Sequence, residues 1–217
     1  MKPYYEDPHV TIYHGDCLEM DLAAFGANVL VTDPPYGIGW SRKFTKSTGN
    51  KAQAGIANDQ DTTARDRVIE QLKDIQGIVF GSFYAPFPAG LKQVLVWHKP
   101  GDSGVYGSTT GYRRDAEPIF LIGKWPKRLI DRSSVIKVSG GISVMTQETG
   151  HPHTKPLALM TQLIDFAALG RIIDPFMGSG TTLRAAKNLG LYAIGIELEE
   201  RWCEVAAIRC SQEILGL

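Results

Sequence analysis

The sequence predicts one α/β domain built on a mostly parallel sheet that becomes mixed at one edge, with helices on both faces. Three observations carry this. A chain of 217 residues with 43% hydrophobic content can bury one sizeable core. Seven short aliphatic or β-branched runs are interspersed with four helical patterns. Several of those runs end directly in proline- or glycine-rich turns.

Taken in chain order, the predicted strands are Val10–His14, Asn28–Thr32, Gly77–Phe80, Gln93–Trp97, Pro118–Ile122, Arg171–Ile173 and Tyr192–Ile196. The predicted helices are Thr62–Ile75, Pro156–Leu169, Thr181–Leu189 and Glu199–Leu215. No helical pattern separates Gln93–Trp97 from Pro118–Ile122, so these two pair antiparallel at one edge. Two stretches, Gly37–Gln60 and Pro100–Arg114, are irregular and rich in Gly, Ser, Thr and basic residues; long loops inside a compact domain are more often functional than idle. Residues 37–60 read as a mobile loop.

Composition excludes several classes. No apolar run approaches the roughly 18 residues of a membrane span. The N-terminus lacks an apolar signal core, and three cysteines cannot all pair within one chain, which predicts a reducing cytoplasmic setting. Net charge is zero, a mild argument against nucleic-acid binding, but charge is unevenly placed. Between Leu91 and Lys137 nine basic residues face four acidic ones, and Arg42, Lys43, Lys46 and Lys51 lie in a loop without an acid from Gly37 to Asn58. Solvated loops are the bland reading of both. Cys203 and Cys210, seven apart on a predicted helix, read as core, and Trp97 and Trp125 as packing residues. His151 and His153 are too sparse to predict a metal site, and none is expected.

The sharpest chemical signal is Asp33-Pro34-Pro35-Tyr36, placed directly after a predicted strand. Open α/β sheets bind ligands at such strand ends. Two prolines lock φ and remove two backbone donors, leaving rigid acceptors. The Asp33 carboxylate and the Pro34 carbonyl can each accept one hydrogen of an amino group, turning its lone pair toward an electrophile, while Tyr36 offers a face for stacking a base. A second signal is Asp174-Pro175-Phe176-Met177-Gly178-Ser179-Gly180-Thr181-Thr182, a glycine turn between a strand and a helix. Leu183 stands where a dinucleotide fingerprint needs a third glycine, and Thr181 where a P-loop needs lysine. Asp174 repels a pyrophosphate and attracts an ammonium. Glu197, 23 positions later at the next strand end, stands where such folds bind ribose hydroxyls.

These segments resemble the amino-methyltransferases of DNA, in the permuted β class, where the Asp-Pro-Pro-Tyr motif precedes the glycine turn as Asp33–Tyr36 precedes Asp174–Thr182 here. Gly15-Asp16-Cys17-Leu18, the segment His151 to Pro156, Val96 to Lys99 and Glu117 are similar to further family positions, although His153 and Thr154 depart from the usual Thr and Gln. The resemblance implies a Rossmann-like, seven-stranded methyltransferase domain of circularly permuted motif order, spanning 1–217. It implies S-adenosyl-L-methionine as cofactor, bound by Asp16, Cys17, Asp33, Lys155, Asp174, Pro175, Phe176, Gly178, Ser179, Gly180, Thr181, Thr182, Glu197 and Leu198, with Asp16 on the adenine amino group. It implies a catalytic set of Asp33, Pro34, Pro35 and Tyr36 acting on a base flipped out of double-stranded DNA. DNA contacts are then expected from Trp40, Arg42, Lys43, Lys46, Lys124, Lys127, Arg128 and Arg132, with 100–150 as a short recognition region. The leading aspartate favours adenine N6 over cytosine N4. The short chain implies a short target site, or a second copy or separate specificity partner. An enzyme that works on DNA is expected in the cytoplasm, at the nucleoid when bound. Two readings from other classes stay beside this one: a non-catalytic nucleic-acid-binding module of the same fold, and a nicotinamide-dependent oxidoreductase, which Leu183 disfavours.

Overall fold

Val29–Thr32 is buried at all four positions, as a strand must be when helices cover both faces of its sheet. In the computed structural model, which describes residues 1–39, 57–101, 110–127, 132–138, 149–151, 154–167 and 170–212, this strand lies at the middle of one sheet. The strands are β1 (Tyr5–Glu6), β2 (Val10–His14), β3 (Val29–Thr32), β4 (Gln76–Phe80), β5 (Leu91–His98), β6 (Ala116–Gly123), β7 (Val135–Lys137), β8 (Ile172–Asp174) and β9 (Ala193–Glu197), in the order β1-β2-β9-β8-β3-β4-β6-β5-β7. The α-helices among the described residues are α1 (Thr63–Gln71), α2 (Leu157–Ala167), α3 (Thr181–Asn188) and α4 (Glu200–Ser211).

The seven strands read from the sequence are all present, each within two residues of its expected ends. β2, β9, β8, β3 and β4 are mutually parallel, and the expected antiparallel excursion is the β5–β6 hairpin. Its reversed member, β6, is the inner strand and pairs with β4, so β5 points the same way as β4. β1 and β7 are additions of two and three residues, too short for periodicity to register. α1 stops at Gln71, sooner than expected, and the described part of α4 ends at Ser211.

Alternation along the strands divides the core into two layers. Val29, Val31, Ile78 and Phe80 face α2, α3 and α4 through Leu159, Ile164, Leu183, Ala186, Cys203 and Cys210. Leu30, Val79, Phe120, Ile173 and Ile194 face α1 through Val68, Ile69 and Leu72. Trp97 is buried in the first layer with its indole N–H donating to the Val138 carbonyl, and Trp125 packs on Phe166, so both tryptophans serve packing as expected. The glycine turn can settle on the sheet because Gly195 of β9 has no side chain; a Cβ there would come within 2.3 Å of the Met177 sulfur.

The chain leaves β3 toward β4 on one side and β8 toward β9 on the other. β3 and β8 are nevertheless hydrogen-bonded neighbours, so a crevice opens at their carboxyl ends. A buried polar tie crosses it. Thr32 Oγ1 donates to Asp174 Oδ1 at 2.7 Å, Thr182 Oγ1 donates to Asp174 Oδ2 at 2.5 Å, and the Phe176 N–H adds a third bond at 3.2 Å. Burial, partly opposed by these hydrogen bonds from Thr182, Thr32 and Phe176, pushes the Asp174 carboxyl up from 3.8 to about 6.

A raised folded-state value means that the folded protein keeps this proton while the unfolded chain releases it, so the stability tied to Asp174 is full below about pH 4 and falls until about pH 6. Asp174→Asn keeps one oxygen to accept from Thr32 and the Phe176 N–H, turns an amide N–H toward the Thr182 hydroxyl, which can rotate to accept it, and removes the titration. In urea unfolding, the stability of the native protein minus that of Asp174→Asn is expected to drop by about 3 kcal/mol from pH 4 to 6.5. A difference that stays flat across that window contradicts the assignment.

Candidate active site

The sheet order places four carboxylates in a row. Asp16 follows β2, Glu197 ends β9, Asp174 ends β8 and Asp33 follows β3, all at the carboxyl ends of adjacent parallel strands. Neighbouring strands lie about 4.8 Å apart, so the row spans roughly 15 Å. A ligand lying along it meets acceptors at each step and suits hydroxyl, amino or cationic groups. At the Asp33 end, a cleft is lined by Asp33, Lys155, Asp174, Phe176, Gly178 and Thr181 among others. The proline-stiffened turn and the glycine turn therefore share one cavity, although 142 positions separate Thr32 from Asp174.

Each turn is held from behind. Pro34 and Pro35 are buried. The Gly37 N–H donates to Asp59 at 2.7 Å, which fixes the exit of the first turn. In the second turn, Gly180 takes a φ of 76°, and a Cβ would lie 2.7 Å from that of Ala206. Arg209, near the end of α4, donates to the Ser179 carbonyl at 2.5 Å and also to the Ser179 and Thr181 hydroxyls. Ser179 meets the buried hydroxyl of Thr154 at 3.1 Å, joining the glycine turn to the segment that carries Lys155.

Asp33 has one side-chain donor on each of its oxygens. Its Oδ1 accepts from the Tyr36 hydroxyl at 2.7 Å and its Oδ2 from Lys155 Nζ at 2.5 Å; Lys155 also reaches the Tyr36 oxygen at 3.2 Å. Burial above all, then the charges of Asp33 and Glu117, hold the Tyr36 phenol well above its ordinary value, so it remains a neutral donor. Burial works against the Lys155 ammonium, but Asp33 and Glu117 outweigh it and raise its pKa above the ordinary lysine value. Lys155 also faces the rings of Phe80 at 5.0 Å and Tyr36 at 5.7 Å. Tyr36 was expected as a stacking face; here its hydroxyl also orients the Asp33 carboxylate.

The other predicted residues separate by position. Glu197 accepts from the Gly178 N–H at 3.0 Å and the Glu199 N–H at 2.8 Å, and its pKa rises through burial against those two bonds. Asp16 caps a short 3₁₀ turn through the Leu18 N–H, and Leu198, half exposed, offers its carbonyl to His14. Cys17 packs in the second core layer; burial, then the neighbouring Asp16, pushes its thiol up to about 12, so it lies among apolar groups as a neutral thiol. Both oxygens of Asp174 are engaged within the protein, which makes its first task the tie between strands.

Of the expected DNA contacts, Lys124 and Arg132 lie away from the cleft. Gly123 pairs with Gln76 at the amino end of β4, so Lys124, which forms an ion pair with Asp74, is at the opposite end of the sheet from Asp33. Arg132 pairs with Asp165 in the last turn of α2. Lys127 is exposed three residues beyond Lys124. Trp40, Arg42, Lys43, Lys46 and Arg128 lie outside the described residues. Arg113, Arg114 and Tyr112, by contrast, precede β6, whose first residue pairs with His98 at the carboxyl end of β5. The sequence reading missed Thr32, Thr182 as a partner of Asp174, and Arg209. A threonine closing a strand and an arginine late in a helix are ordinary there, and only the fold brings them to the site.

Comparison with known proteins identifies the family. Residues 27–208 match the model of the N6/N4 methyltransferase family, described as DNA methylase. The chain is 26% identical to the type II methyltransferase M.ScaI of Streptomyces caespitosus, covering 100% of this chain and 86% of that protein. It is 27% identical to M2.MboI of Moraxella bovis, over 96% of this chain and 91% of that one. Among solved structures, the PvuII cytosine-N4-specific DNA methyltransferase aligns with a TM-score of 0.71 at 18% identity, covering 99% of this chain and 91% of that one. The M1.HpyAVI–SAM complex aligns at 0.64 and 24%, covering 92% and 99%. These structural likenesses bear on the fold. The family match spans both turns of the cleft, and the chain belongs to the N6/N4 family of DNA methylases.

Proposed function

We propose that this chain transfers a methyl group from S-adenosyl-L-methionine to the N6 amino group of an adenine flipped out of double-stranded DNA. The observation that supports this most directly is the single cleft shared by Asp33, Lys155 and Gly178, because an amino group must meet a methyl donor there without a covalent intermediate. When bound, the cofactor would supply an electrophilic methyl carbon on a sulfonium sulfur. Asp16, Glu197 and the Phe176–Thr182 turn lie along the strand ends where an extended adenosyl and methionine chain would run. Asp33 and the Pro34 carbonyl accept the two amino hydrogens, so the nitrogen lone pair points at the methyl carbon. Tyr36 keeps one Asp33 oxygen oriented, and the buried prolines keep both acceptors fixed.

The DNA approaches the carboxyl edge of the sheet in this reading. There, Phe83 and Tyr84 are exposed just past β4, Tyr112 is 83% exposed, and the Arg114 guanidinium lies 5.5 Å from the Tyr84 ring. Arginine beside exposed aromatics suits phosphate contact and base stacking together. DNA contact from this rim replaces the role first expected of Lys124 and Arg132.

Incubating unmodified duplex DNA with labelled cofactor and analysing the nucleosides by mass spectrometry is expected to yield N6-methyladenine; N4-methylcytosine instead would overturn the choice of base. Asp33→Ala is expected to lower transfer at least about 100-fold while cofactor affinity changes only a few-fold. Arg114→Ala should weaken DNA binding and reduce its salt dependence by about one phosphate contact, whereas Lys124→Ala leaves both unchanged. The opposite ranking of these two variants would return the DNA to the far end of the sheet.

A further inference from the structure

Among the described residues, one buried polar atom beside the cleft has no hydrogen-bond partner. Glu117, the second residue of β6, accepts from the Lys99 ammonium through Oε1, while its buried Oε2 has no hydrogen bond among the described residues. That bare oxygen lies 4.0 Å from Lys155 Nζ. A buried carboxylate oxygen without a donor is unfavourable, and native structures seldom leave one without a reason. Lys155 meanwhile rests on Asp33 Oδ2 at 2.5 Å, the oxygen that an incoming amino group needs. The nitrogen of that group gains positive charge as the methyl group arrives, so an ammonium left in hydrogen-bond contact with Asp33 opposes the reaction twice: it competes for the acceptor and repels the developing charge.

We propose that Glu117 is a positioning residue that acts through Lys155, receiving its ammonium on Oε2 when the target amino group takes its place on Asp33. This rests on the reading of Asp33 as the acceptor of that group. The geometry requires little movement. Shifting Nζ by about 1 Å turns the 4.0 Å separation into a hydrogen bond of ordinary length, well within the freedom of a four-carbon stem. The Phe80 and Tyr36 rings flank the path and attract the ammonium throughout. Lys99 is itself buried and lies 4.7 Å from the Trp97 ring, so it anchors Oε1 and leaves Oε2 directed at Lys155. No proton changes hands; the ammonium moves between two carboxylates, and the departure leaves Asp33 with its full negative charge toward the reacting nitrogen.

Two measurements test this. In Glu117→Gln the neutral side chain no longer attracts the ammonium, and kcat for DNA methylation is expected to fall at least tenfold. Cofactor affinity stays within about twofold, and Glu117→Asp recovers part of the loss. A Glu117→Gln enzyme with native kcat overturns the proposal and leaves the methyltransferase reading standing, whereas a native enzyme that transfers no methyl group overturns both. Should Glu117→Gln fail to bind cofactor, a crystal structure of the native protein with S-adenosylhomocysteine and a target duplex decides. Lys155 Nζ within hydrogen-bond reach of Glu117 Oε2 and away from Asp33 supports the proposal, and Nζ still bonded to Asp33 Oδ2 beside a seated base ends it.

Discussion

The buried carboxylate of Asp174 is the constraint on which the site depends. It accepts from Thr32, the residue before the proline-stiffened turn, and from Thr182 in the helix that follows the glycine turn. Two segments distant in the chain are thereby locked side by side at the point where the sheet connections diverge. Without that tie, adjacent strands would still fix the spacing of their backbones, but not the depth at which Asp33 faces Gly178. The cost is a carboxyl held in an environment that resists its ionisation, a common compromise where a site needs rigid acceptors.

From that tie the electrostatics follow. Four acids end four adjacent strands, and an unrelieved row of this kind would repel itself. Asp16, Glu197 and Asp174 are relieved by backbone N–H groups or hydroxyls, which are dipoles, whereas Asp33 carries a full cation on its far side. The difference is chemical. Dipoles keep an acceptor available for a bound cofactor, and the proposed shift of the Lys155 ammonium would let Asp33 pass from a neutralised state to a charged one as its substrate arrives. Lys99 and Glu117 extend this arrangement into the β5–β6 hairpin, which gives the hairpin a place in the site beyond covering an edge.

Much of this was legible in the sequence, for particular reasons. Asp33–Tyr36 and Asp174–Thr182 announce themselves because proline and glycine have few alternative uses directly after a buried strand. The seven main strands were readable because aliphatic runs bounded by turns carry the strongest local signal. The short strands β1 and β7 were not, since two or three residues hold no period. Basic clusters do not show their own location: Lys124 and Arg132 are near Arg114 in sequence, yet β6 runs antiparallel to its neighbours and carries Lys124 to the end of the sheet opposite Asp33. Charge density along a chain says nothing about which end of a strand it occupies. The interaction of Thr32 with Asp174 was invisible because it joins residues 142 positions apart through side chains of no special composition.

If the two turns form a single reaction chamber, a bound cofactor lies along the strand ends from Asp16 to Asp33. A crystal structure of the protein with S-adenosylhomocysteine tests it directly. The ribose is expected at Glu197, the sulfur above the Phe176–Thr182 turn, and the side of the sulfur that would carry the methyl group open toward Asp33. A cofactor bound elsewhere, or one whose sulfur is screened from Asp33 by protein atoms, would contradict it.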